Sequence, residues 1–179
     1  MSAVAARVGA GPDDRLTELF YEECTQYKNP FIRDWFSFER DLRNLLAAVA
    51  VRGIVRAKDD VDRRAIMEKS VLGRNEIADA ILKSSAPDFS VSSMLSWSPV
   101  VMAQDPAALT ENEKRLDRLR WDMAGELTAL AGFGIETVMA FLVRFILVHR
   151  WLALDAVTGK RMFEALVEGL KKSVSFEQV

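Results

Sequence analysis

"FIRDWFSFERDLRNLLAAVAVR", Phe31 to Arg52, reads as one long amphipathic helix, and its pattern decides the fold class. At about 100° per residue, Phe31, Trp35, Phe38, Leu42, Leu45 and Val49 fall on one narrow face. Arg33, Ser37, Arg40, Asp41 and Asn44 fall roughly opposite. Glu39 and Arg43 have the spacing and order of a favourable intrahelical pair. The aromatic face is therefore expected to be core, and the charged back a solvated or docking face.

The same helical period runs through most of the 179 residues, and strict apolar–polar alternation is scarce. Residues 1–12 read as a flexible lead-in with no signal-peptide core. Residues 13–179 are expected to form one helical domain. Asp13 and Asp14 start a first helix with Leu16, Leu19, Phe20 and Tyr27 on its apolar side. Asn29 and Pro30 suit the N-cap and first position of the second helix, which should run to about Ala57. A connector with a short helical piece ends at Gly73, and Asn75 caps a short helix through Ile77, Ile81 and Leu82. "KSSAPDFS" is a turn, because Pro87 pushes Ala86 out of helical geometry. Pro99 should kink or split the segment around it.

Thr110 and Glu113 have capping-box spacing ahead of Leu116, Leu119, Met123, Leu127 and Leu130. Gly132 and Gly134 let the chain turn into an apolar helix from about Ile135 to Asp155. Within it, "TVMAFLVRFILVHRWLAL" (Thr137–Leu154) is interrupted by Arg144. The uninterrupted run is too short for a bilayer, so a buried core helix is expected, with Glu136, Thr137, Ala140 and Arg144 as a thin polar strip. Thr158 caps a last helix with Met162, Phe163, Leu166, Val167 and Leu170 on its inner side. The expected fold is all-α, a single bundle-like domain of six or seven helices.

Chemistry is sparse. A formal net charge of −2 gives no general attraction to nucleic acid or anionic lipid. Cys24 is the single cysteine, which leaves no internal disulfide or thiolate zinc cage and fits a reducing cytoplasm. His149 is the single histidine, with Ile146 where a di-iron motif would place a glutamate. It reads as a partly buried histidine near the end of a packed helix, and Cys24 as a small core residue. The basic cluster Lys114, Arg115, Arg118 and Arg120 is interleaved with acids and reads as a salt-bridged helix surface. A ligand pocket among Met94, Trp97, Met102 and Met123 lacks a polar anchor. The expectation is no catalytic residue, no cofactor and no metal.

Several stretches together resemble a known family: "FIRDWFSFERDLRNLLAAVAVR", "GRNEIADAILKSSAPDF", "LDRLRWDMAGEL" and "FLVRFILVHRWLALD", in that order. They are similar to the C-terminal helical part of a bacterial family of unassigned function associated with the V-type (A/V-type) ATPase, whose members resemble that enzyme's C-type (d-type) stalk component. The resemblance spans about Leu16 to Phe176. Members of the family carry a preceding N-terminal region with some β structure, so the chain is expected to represent the helical part only.

The resemblance implies a non-catalytic adaptor joining the central rotor shaft to the membrane proteolipid ring. Its partners would be those two parts of the V-type ATPase. It would be cytoplasmic, and peripheral at the inner membrane's cytoplasmic face when assembled. Arg33, Arg40, Asn44, Arg74, Asn75, Glu76 and Asp88 are the candidate docking or polar-cluster residues. For Asn75 and Asp88 the plainer reading is capping of a helix and a turn. Two other functions remain open. A deep apolar pocket with convergent polar groups would favour a regulatory or small-molecule-binding module. Cys24 beside His149, or three converging carboxylates, would favour an enzyme.

Overall fold

Asn29 Oδ1 accepts a hydrogen bond from Ile32 N at 3.2 Å, and Pro30 opens the helix that organises the rest. The computed structural model describes residues 12–54, 60–105 and 107–153. They form α1 (Pro12–Thr25), α2 (Pro30–Ile54), α3 (Asp60–Ser70), α4 (Glu76–Lys83), α5 (Ser98–Met102), α6 (Leu109–Glu126) and α7 (Ile135–Ala153). Among the described residues there is no strand, so the fold is all-α.

The core is built outward from α2. Phe31, Trp35, Phe38, Leu42 and Leu45 are all buried, as their shared face requires. Val49 is only partly buried; Ala48 and Val51 take the interior positions in the last turns of the helix. A run of rings fixes the N-terminal half. Phe31 stacks on Trp35 with centroids 6.0 Å apart, Trp35 meets Phe38 at 5.6 Å, and Phe38 meets the edge of Trp97 at 5.4 Å. Met67 of α3, Ile77 and Ile81 of α4, Val101 of α5 and Leu116 of α6 close over the same face.

Local signals explain most boundaries. Asn75 Oδ1 caps α4 through Ala78 N at 2.8 Å. Pro99 confines α5 to one short piece, Ser98–Met102. The start of α6 departs from the capping-box expectation: Ala108 is the N-cap and makes no side-chain cap bond. Inside the helix, Asn112 ties the approach at Asp105 to α6. Its Nδ2 donates to Asp105 O at 2.6 Å, and its Oδ1 accepts from Asp105 N at 3.1 Å.

Two helices expose apolar side chains that the sequence pattern assigns to a core. On the α1 segment, Leu16, Leu19, Phe20 and Tyr27 are all exposed. This helix meets α2 through aromatic edges instead, with Phe20 5.1 Å from Phe36. On α7 only Ala140 is buried, so it is not the expected core helix. The lead-in and the last helix, with Thr158 and its apolar side, lie outside the described residues.

Candidate functional site

Asn44 sits on the face of α2 that the period marks as polar, yet it is fully buried. Its amide replaces a missing backbone partner. Nδ2 donates to Leu72 O at 3.0 Å, and Oδ1 accepts from Leu72 N at 2.8 Å. Leu72 lies between α3 and α4, outside either helix, so a buried side-chain amide satisfies its backbone. One turn back, Asp41 Oδ1 accepts from Asn75 Nδ2 at 2.8 Å and pairs with Arg40 Nε at 3.4 Å. Gly73 adopts φ +67°, and a Cβ added to it would lie 3.6 Å from Arg40 Cδ. A side chain would be strained there by the backbone conformation itself. Burial raises the Asp41 carboxyl above its ordinary value, although Asn75 and Arg40 pull it back.

Arg40, Asn44 and Asn75 therefore belong to one intramolecular latch that clamps the 71–75 connector onto α2. The other candidate residues stand apart from it. Arg33 is exposed and pairs with Asp34 at 2.8 Å. Arg74 and Glu76 are exposed beside the latch. Asp88 accepts from Ser90 N at 3.1 Å within the turn, and hydrogen bonds from Ser92 and Ser90 lower its carboxyl. The turn itself holds Phe89 and Ser90 at positive φ. Arg52 packs its guanidinium over the buried Phe89 ring and donates to Pro87 O.

A second polar cluster joins three helices. Arg120 Nε donates to Glu39 Oε1 at 2.8 Å, linking α6 to α2. The pair is mostly enclosed, with side-chain exposures of 21% and 18%. Asp117, nearly buried, accepts from Arg120 Nη1 at 3.3 Å and from Trp151 Nε1 at 2.6 Å, and it also pairs with Arg150. Arg120 is salt-bridged, as expected of its cluster, but its bridge runs across the interface to Glu39 and is largely enclosed instead of lying on the helix surface. The Tyr21 phenol is raised mainly by burial and then by Glu39, with Arg43 pulling it back. One signal was present in the sequence: Asn112, Leu116, Arg120 and Ala124 recur every four residues, and Asp117 lies within about 20° of Ala124 on the same face.

The same cluster orients α7, whose polar strip turns inward. Glu136 accepts from Asn29 Nδ2 at 2.9 Å. Ala140 is buried, and Arg144 donates to Trp121 O from Nε at 3.2 Å and from Nη2 at 3.1 Å. Gly125 makes room for that guanidinium; a Cβ there would collide with Arg144 Nη2. Trp151 and Arg150 reach Asp117. With these residues inward, the apolar arc of α7 faces out: Phe141 is 65% exposed, Phe145 55% and Leu152 80%. His149 is exposed on that arc, 6.2 Å from the Phe145 ring, rather than partly buried.

Little of this resembles a reaction centre. Burial and the neighbouring Glu23 raise the Cys24 thiol, away from the thiolate a nucleophile needs. Among the described residues no three His, Cys, Asp or Glu side chains gather as metal ligands. Trp97 is spent on the core, with Met102 and Met123 packed against it and Met94 exposed. Among the described residues no helix is long and apolar enough to cross a membrane.

The family described as "Protein of unknown function (DUF2764)" matches residues 6–174. That description carries no activity and no link to a V-type ATPase. No curated protein and no solved structure matches the chain.

Proposed function

The chain belongs to the DUF2764 family, whose function is unknown, and from that premise we propose that it is a non-catalytic structural adaptor of a V-type rotary ATPase. In this reading it takes the place of the C-type (d-type) stalk component, between the central rotor shaft and the membrane proteolipid ring. It reaches the membrane only through those partners. The observation that carries the reading is the polar network of Glu39, Asp117, Arg120, Arg150 and Trp151, which ties α2, α6 and α7 together. A part that transmits torque needs helices that do not slide past one another. Charged groups held by several partners at once resist sliding, because any shift leaves one of them buried and unpaired. The motif resemblance supplies the identity of the machine.

The docking residues follow from what the latch leaves free. Arg40, Asn44 and Asn75 are committed inside the chain. Arg33, Arg74 and Glu76 remain exposed, and arginines are frequent anchors at interfaces. The test is co-expression of the tagged chain with the V-type ATPase components of its own organism. Wild type should capture the rotor-shaft protein, and Arg33→Glu with Arg74→Glu should reduce capture while leaving the helical content and unfolding midpoint unchanged. Capture of none of those components by the wild-type chain overturns the reading.

A further inference from the structure

Helix α7 is inside-out. Its polar strip is bonded to α2 and α6, and among the described residues its outward arc is left exposed. The middle of that arc is a row of three rings four residues apart. Phe141 stacks on Phe145 with centroids 6.4 Å apart, and Phe145 meets His149 at 6.2 Å. Monomeric proteins rarely leave a contiguous apolar surface of that extent uncovered.

We propose that the arc is an interface between two copies of this chain, in which the two α7 helices pack antiparallel about a two-fold axis at Phe145. The first argument is the order of the residues. Reversing the helix about Phe145 exchanges Phe141 with His149, Leu142 with Val148, and Val138 with Leu152. All of these side chains are exposed, and all lie within about 60° of Phe145 at about 100° per residue. The seam maps onto itself, as a two-fold contact demands, because one patch must serve both sides. A partner of different sequence would place no such demand on the order. Val138, Phe141, Phe145, Val148 and Leu152 also recur three and four apart, the period at which packed helices mesh. Ring row then meets ring row: Phe145 faces Phe145, and Phe141 of each copy faces His149 of the other.

The second argument is charge. A surface that meets its own copy is penalised when a charge opposes itself across the axis. Here Glu136, Arg144 and Arg150 turn away from the seam, to Asn29, Trp121 and Asp117. His149 is the one ionisable side chain within the seam, and its counterpart is Phe141, so the axis does not bring two imidazoles together.

The third argument is area. The exposed apolar side chains of α7 present on the order of 800 Å² per copy, about what each partner contributes to a standard interface.

The inference does not rest on the adaptor reading, and its test uses purified full-length chain with no ATPase component present. Sedimentation over a range of concentrations should show a reversible dimer. Phe145→Asp should raise its dissociation constant about a hundredfold or more, because the axis sets the two new carboxylates against each other. The ring is half exposed and outside the core, and the helical circular-dichroism signal should be that of wild type. Oxidation in a Cys24→Ala background reads the register. Phe145→Cys should give a disulfide-linked dimer, whereas Val138→Cys and Leu152→Cys should each stay unlinked alone and join when mixed. A chain that stays monomeric at its highest soluble concentration overturns the proposal. So does a dimer unmoved by Phe145→Asp, a Phe145→Cys chain that does not link, or a Val138→Cys or Leu152→Cys chain that links to itself.

Discussion

Asn44 and Leu72 exchange two hydrogen bonds, backbone N–H to side-chain carbonyl and side-chain amide to backbone C=O, in a site closed to solvent. The connector between α3 and α4 is thereby fixed to the middle of α2. That sets where Asn75 begins α4 and where Arg74 and Glu76 reach the surface.

Substituting Asn44 should therefore be costly. Asn44→Ala leaves the N–H and C=O of Leu72 buried and unsatisfied, at about 1–3 kcal/mol for each group. Urea denaturation should show a loss on the order of 3 kcal/mol. A change within about 0.5 kcal/mol would mean that water or a rearranged connector satisfies Leu72 equally well.

Glu39 and Arg120 meet across the α2–α6 interface, 81 residues apart in sequence. A double-mutant cycle with Glu39→Gln and Arg120→Met should show a coupling of about 1 kcal/mol or more, above the few tenths usual for exposed pairs. Arg120 also holds Asp117, so the Arg120 single mutant should be the more damaging of the two. Additive effects would remove this pair from the set of contacts that stiffen the body.

Burial raises the Asp41 carboxyl in the folded chain, against the pull of Asn75 and Arg40. As pH rises, the unfolded chain releases this proton first. The contribution of Asp41 is therefore full below the ordinary carboxylate value and is lost as pH rises through the raised folded value. Asp41→Asn should make the dependence of stability on pH less steep on its falling side in the mildly acidic range. Unfolding curves for both proteins at several pH values check this; parallel profiles would contradict it.

Ser98 is fully buried at the start of α5, and its Oγ has no hydrogen-bond partner among the described residues. Ser98→Ala removes an unsatisfied hydroxyl and leaves almost the same volume. The variant should be as stable as wild type or more so by about 1 kcal/mol. A clear destabilisation would point to a partner for the hydroxyl, such as a buried water.

The core face of α2 was legible because Phe31, Trp35, Phe38, Leu42 and Leu45 alternate four and three apart. The cap of α4 was legible because asparagine before a short apolar helix has one favoured local use. Asn44 was not, because its partner is the backbone of Leu72, and a backbone group leaves no mark in the sequence. Neither was the orientation of α7. Hydropathy assigns the larger apolar side to the core, whereas Asn29, Trp121 and Asp117 offer partners to Glu136, Arg144, Arg150 and Trp151, and those partners turn the helix. Among the candidate docking residues, spacing alone could not separate Arg40, which the latch uses, from Arg33, two turns away and exposed.

The most direct test of the adaptor account is a binding titration between the purified chain and the purified rotor-shaft protein of the V-type ATPase from the same organism. The account predicts a saturable complex of defined stoichiometry, weakened by Arg33→Glu with Arg74→Glu and unaffected by Ser98→Ala. Absence of binding to the shaft protein and to the cytoplasmic loops of the proteolipid ring, by chain that is folded at the concentrations used, would contradict it.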